Sequence, residues 1–127
     1  MTAYLLDTCV IIDYLRDRHE AIQFMRRQEV RPAVSAITAA ELFAGVRSSA
    51  EEHQIVALCG RLLIYHVDLD IACLGGSYCR RYRHSHGVQL ADALIAATAR
   101  IHEARLVTRN ARHFPMLDDV VVPYRVN

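Results

Sequence analysis

Asp7, Glu41 and Asp92 sit in the segments YLLDTCVIID, SAITAAELFAGV and VQLADALIAATA, which are otherwise almost wholly apolar. Carboxylates are rarely buried unless a cation or a metal accompanies them. No arginine or lysine lies within four residues of any of the three, so local ion pairs do not account for them. Acids converging without cations would form a pocket for hard divalent ions, whose preference for oxygen ligands suits magnesium or manganese. Such a pocket points to metal-assisted phosphate chemistry. Hydrolysis of a phosphodiester needs a nucleophilic water and relief of the charge building on the phosphoryl and leaving oxygens. Asp7 and Asp92 would be direct ligands, and Glu41 would ligate or orient the attacking water as general base.

Each acid also has a purely structural explanation. Asp7 could cap the following helix by accepting the amide of Cys9 or Val10. Glu41 could complete a capping box with Thr38, as T-x-x-E, unless Ser35 is the cap and Glu41 falls beyond the first turn. Asp92 could simply favour the positive end of a helix dipole. These explanations fit one acid at a time and fit the set of three poorly.

The elements that must position them alternate between short apolar strands and helices. Strands are expected at Ala3 to Leu6, Pro32 to Val34, Leu62 to His66, Arg105 to Val107 and Val120 to Val122. Helices are expected from about Cys9 to Arg16, Glu20 to Gln28, a Ser35 or Thr38 cap to Val46, Glu51 to Gly60, an Asp68 cap to Tyr82, and Leu90 to His102. Arg80 to Val88, with Arg80, Arg81, Arg83, His84 and His86, reads as a polar loop. This alternation predicts an α/β sandwich with a mainly parallel sheet, in one domain spanning residues 1–127. In such sheets ligands gather at the carboxyl ends of strands, where Asp7 and the Thr108 to Asn110 segment would both arrive. Asp13, Asp17, Asp68, Asp70, Asp118 and Asp119 read as helix-face, cap or turn acids.

Composition bounds the chemistry further. The 127 residues are 53% hydrophobic with a net charge of +1, so any nucleic-acid surface must be a local patch. All fifteen basic residues are arginines. With no lysine, P-loop phosphate binding and Schiff-base chemistry are excluded. Cys9, Cys59, Cys73 and Cys79 lack CxxC spacing and read as reduced, mostly buried thiols. His84-x-His86 lacks the partner set of a zinc site; a positive lip that meets a polyanion or a partner protein is the better functional reading of that stretch, with a solvated loop as the default. The N-terminus has neither a basic leader nor a long apolar run, so a soluble cytoplasmic protein is expected.

The LLDTCVIIDYLR opening, the SAITAAELFAGV and QLADALIAATA helices and the LVTRNARHF ending together resemble a PIN-domain ribonuclease, and more narrowly the toxin of a VapBC-type toxin–antitoxin pair. The resemblance runs from about residue 3 to residue 122. It implies a Rossmann-like α/β/α domain, an acidic pocket binding magnesium or manganese, and endonucleolytic cleavage of structured RNA, commonly tRNA, leaving 5′-phosphate and 3′-hydroxyl ends. It also implies inhibition of translation until a small VapB-type antitoxin covers the site, and a homodimer. By motif, Asp7, Glu41 and Asp92 match the family's first three acids. The fourth position falls on Asn110, where many relatives carry aspartate; an amide oxygen can still be a metal ligand. Thr8 and Thr108 match hydroxyl positions that order the site, with helix capping the simpler role for Thr8. Arg109 and Arg112 lie nearest this rim in sequence and are candidates for holding the RNA backbone.

Other classes fit less well. Haloacid-dehalogenase phosphatases also place an aspartate after the first strand, but they want a second aspartate where Cys9 stands and a lysine, as receiver domains also do. A housekeeping RNA-processing PIN nuclease and a catalytically weak PIN domain that binds RNA or protein both remain compatible with the same residues. A small antitoxin gene next door distinguishes the first, and magnesium-dependent RNA cleavage distinguishes the second.

Overall fold

The structure, a computed structural model, describes residues 3–125. Along the chain run β1 (Tyr4–Leu6), α1 (Thr8–Leu15), α2 (His19–Arg26), β2 (Ala33–Ser35), α3 (Ala36–Ala44), α4 (Ser49–Cys59), β3 (Leu63–Tyr65), α5 (Leu69–His86), α6 (Leu90–Ile101) and β4 (Arg105–Val107), then a single 3-10 turn at Ala111–His113. The four strands form one parallel sheet in the order β3-β2-β1-β4.

Side chains alternate across a strand, and here neighbouring residues feed opposite cores. Leu5 and Leu106 pack with Ile71, Tyr78, Ile95 and Phe114 on the α5/α6 face. Leu6, Val34 and Val107 pack with Val10, Phe24, Leu42, Ile55 and Leu58 on the other. Helices therefore cover both sheet faces, the α/β/α sandwich expected from the strand–helix alternation. β2 and β3 build outward on one side of β1, and β4 returns to its other side. The order thus reverses between β1 and β4, where parallel sheets open a crevice at their carboxyl ends.

Two expectations require correction. Val120 to Val122 does not form a full strand: Val121 makes an isolated parallel bridge to Val107, with its N–H donating to Leu106 O at 2.8 Å and its carbonyl accepting from Thr108 N at 2.9 Å. The Arg80 to Val88 stretch is not a loop, because α5 continues to His86 and ends at Gly87 with φ +64°. Arginine is a good helix former, cations favour the negative end of a helix, and glycine accepts the left-handed cap. Polar composition there marks the solvent side of a helix. Among the described residues, no helix is long and apolar enough to cross a membrane.

Candidate active site

Register brings the first parts of the site together. Leu6 of β1 pairs with Val107 of β4, so the next residues, Asp7 and Thr108, leave the sheet side by side. Asp7 is buried. Its Oδ1 accepts the Thr8 N–H at 2.8 Å, and its Oδ2 accepts the Thr108 hydroxyl at 2.7 Å. The capping role is therefore real, with the amide of Thr8 as donor in place of Cys9 or Val10. The Thr108 hydroxyl accepts the Asn110 N–H at 3.0 Å, fixing the turn after β4.

Glu41 lies beyond the first turn of α3. Ser35 is the N-cap, its side chain accepting from Ile37 N, so the Thr38 capping box is not formed. Instead Glu41 Oε1 accepts the Thr8 hydroxyl at 2.7 Å. The Thr8 and Thr38 hydroxyl oxygens are 3.0 Å apart. Thr8 has one hydroxyl proton, and the carboxylate is the stronger acceptor, so Thr38 supplies the proton shared between the two threonines. Thr8, for which sequence favoured simple capping, is the residue that links Asp7 to Glu41.

Asp92 occupies the first turn of α6. Burial and then the negative charge of Asp7 push its carboxyl up to about 6, the charge of Glu41 adding to this and His113 opposing it. His113 Nδ1 lies 3.6 Å from Asp92 Oδ2; the ARHF segment signalled its presence but not this position. Asp7, Glu41 and Asp92 therefore share one electrostatic environment. Among the described residues no arginine pairs with any of them. Nor does any group of three or more His, Cys, Asp or Glu close into a metal cage there. The site is an open rim of acids, two of them held by hydroxyls.

Asn110 is half-buried and its side chain does not cap the turn that follows. Cys9 is drawn into the site, with Sγ 3.5 Å from Asp7 Oδ2 and from Thr108 Oγ1. Burial, and then the Asp7 charge, push its thiol pKa up, so it is held as a neutral thiol. All four cysteines are free; Cys73 is exposed and the other three are half-buried.

Arg109 is engaged within the fold. Its Nε lies 2.6 Å from Asp13 Oδ2, an ionic contact in which the N–H points off the line, and its guanidinium donates to Asp13 Oδ1 at 3.4 Å. Asp13 is itself buried, not a solvent-facing helix acid. Tyr124 donates to it at 2.8 Å and Arg18 Nε stands 3.5 Å away. The cluster ties α1 to the chain after β4. Arg112 is exposed.

A parallel α/β/α sandwich with an acid site at the point where strand order reverses defines the class. The PIN domain family model matches residues 4–119. The chain belongs to the PIN-domain family and, within it, to the VapC group. It is 40% identical to Ribonuclease VapC19 of Mycobacterium tuberculosis over 94% of this chain and 98% of the relative. With Ribonuclease VapC10 of the same organism it shares 35% over 96% and 93% of the two chains. A chain of a toxin–antitoxin complex from Klebsiella pneumoniae superposes with a TM-score of 0.83 at 31% identity, covering 98% of this chain and 100% of that one.

Proposed function

We propose that this protein is the endoribonuclease toxin of a VapBC-type pair, cleaving structured RNA such as tRNA with magnesium or manganese and held inactive by a VapB-type antitoxin in the cytoplasm. The observation that carries the reading is the convergence of the acids: Thr8 bonds both Asp7 and Glu41, and burial, then the charges of Asp7 and Glu41, hold the Asp92 carboxyl up to about 6. Three acids in mutual repulsion, with no arginine paired to any of them, make a donor set that fits a hard divalent cation. Asp7, Glu41 and Asp92 would hold it, with the Asn110 amide oxygen as a further ligand. Such an ion supplies electrostatic relief for the charge that builds on the scissile phosphate and leaving oxygen.

The chain's own groups do the rest. Thr108 and the Thr8 N–H fix the Asp7 carboxylate from both sides, so it needs no reorganisation when a cation arrives. Thr8 holds one oxygen of Glu41 and leaves Oε2 to orient a water and take its proton. Arg112, exposed after β4, would meet the phosphate backbone.

Expression alone should arrest growth, and purified protein should cut RNA in magnesium or manganese but not in chelator. Asp7→Asn or Asp92→Asn should abolish both effects without unfolding the protein. Co-expression with the product of the adjacent small gene should yield a tight, inactive complex. Cleavage without growth arrest or a copurifying partner would favour a housekeeping nuclease. Undiminished cleavage by Asp92→Asn protein would remove the site assignment altogether.

A further inference from the structure

We propose that the last two turns of α5 form a track for the RNA phosphate backbone, with Arg80, Arg83 and His84 as its contacts. The inference rests on the ribonuclease reading and adds to it the surface that holds the strand beside the acids.

α5 buries Ile71, Gly75 and Tyr78 on one side. At 3.6 residues per turn the opposite face carries Arg80, Arg83 and His84, spaced i, i+3 and i+4. All three are exposed, and among the described residues none makes a salt bridge. The neighbouring His86 is engaged otherwise, edge-on to Tyr82 and 2.7 Å from Ser85 Oγ. Cations in the last turn of a helix also steady its C-terminus; Arg80 stands beyond the last turn and is not explained that way. In a chain of net charge +1, such a run of unpaired positive charge is a local feature of the kind that binds a polyanion.

Its position selects the polyanion. Only Gly87 to Gln89 separate α5 from α6, and Cys79 Sγ meets Val88 O at 3.7 Å, so the last two turns of α5 begin beside the start of α6. That start carries Asp92. Gly75 lets the helices approach closely, since a Cβ there would lie 2.6 Å from Leu94 Cδ2. With interaxial distances of roughly 8–10 Å in such pairs, α5 is the helix next to the one that carries Asp92. A strand held on α5 would lie one helix from the acidic rim. The acids themselves repel a phosphate backbone, so a separate positive surface is needed to hold it.

The test compares Arg80→Gln/Arg83→Gln with Arg26→Gln/Arg27→Gln, which makes the same charge change at the C-terminal end of α2. Cleavage of a structured RNA and of a very short oligonucleotide is measured for each. The α5 variant should raise KM for the structured RNA about tenfold with kcat within a factor of two, leave the short substrate unaffected, and the α2 variant should match wild type. Binding of the structured RNA, measured in an Asp92→Asn background, should lose about 1.4–1.8 from the slope of log K against log salt, at about 0.7 per single-stranded and 0.9 per duplex phosphate contact. Equal losses in both variants, or none in either, overturn the track. Failure of wild-type protein to cut any RNA would instead defeat the ribonuclease reading, with the salt slope still deciding whether α5 binds the strand.

Discussion

Thr108 and Asp7, 101 residues apart in sequence, meet across 2.7 Å at the carboxyl ends of two adjacent parallel strands. Thr108 is fully buried, so no water can replace its hydroxyl. Thr108→Val keeps the shape and removes the donor, leaving Asp7 Oδ2 and the Asn110 N–H short of a partner. Losing a buried partner costs about 1–3 kcal/mol. The variant should melt lower by that amount in chelator and lose most of its cleavage, whereas Thr108→Ser should retain both. Wild-type melting and cleavage by the valine protein would show that Asp7 is oriented by something else.

The sequence disclosed the acids because a carboxylate in an apolar segment conflicts with its surroundings, and that conflict is visible locally. It also disclosed the parallel sandwich, since strand–helix alternation is local. What stayed hidden was non-local or ambiguous in polarity. Arg109 lies 96 residues from Asp13, and nothing near either residue marks the pairing. The arginines of α5 carry no local mark of the helix, because polar residues suit both a loop and the outer face of a helix. The role of Thr8 is hidden because a threonine after a strand resembles an ordinary cap, and its Glu41 acceptor comes from α3, 33 residues on.

The Asp13 cluster should matter for stability and little for chemistry. Asp13→Asn leaves Arg109 and Arg18 without their countercharge. Both keep some solvent contact, so the loss should be about 2 kcal/mol, below the ~3–5 of a fully buried pair. Tyr124, whose hydroxyl pKa is raised by burial and by Asp13, should then ionise more readily, readable by ultraviolet titration. RNA affinity of the folded variant should stay near wild type; a tenfold loss would return Arg109 to the binding surface.

Gly75 and Gly76 are adjacent and should respond oppositely to alanine. At Gly75 the added Cβ meets Leu94 Cδ2 at 2.6 Å and the Leu94 backbone Cα at 3.2 Å; at Gly76 it meets nothing within 4 Å. Overpacking costs about 1–3 kcal/mol and the helix-propensity gain returns about 1. Gly75→Ala should therefore lower stability by about 1 kcal/mol, and Gly76→Ala should raise it by up to about 1. Denaturant melts of the two proteins check the sign directly.

Asn110→Asp tests the fourth ligand position. If its side chain lies at the acidic rim, the change adds, at nearly constant shape, a negative charge to one that already carries Asp7, Glu41 and Asp92. Attraction to a divalent ion should strengthen by about 1 kcal/mol or more at a partly screened site. In chelator the same charge has no cation and should lower stability. Calorimetric titration with manganese, alongside melts in chelator, reads both effects; if neither moves, Asn110 lies outside the ligand set.

Asp92 predicts how the metal-free protein responds to pH. Its carboxyl is raised from 3.8 to about 6 in the folded chain, so between those values the folded state binds more protons than the unfolded one. Stability must then fall as pH rises through that window. By pH 7 the ionised Asp92 costs the apo protein on the order of 1–2 kcal/mol, reduced from the full shift by its partial solvent exposure. Melting temperature in chelator should therefore climb as pH drops from 7 to 5, opposite to the usual behaviour of ion-paired carboxylates. Asp92→Asn should flatten that climb and melt higher than wild type at pH 7. His113, 3.6 Å away, offsets part of the penalty when charged, so His113→Gln should steepen the climb. Manganese affinity should weaken below about pH 6, because the proton and the cation compete for the same carboxylate. A wild-type apo protein that loses stability steadily from pH 7 to 5 would mean that Asp92 ionises freely and does not feel Asp7 and Glu41.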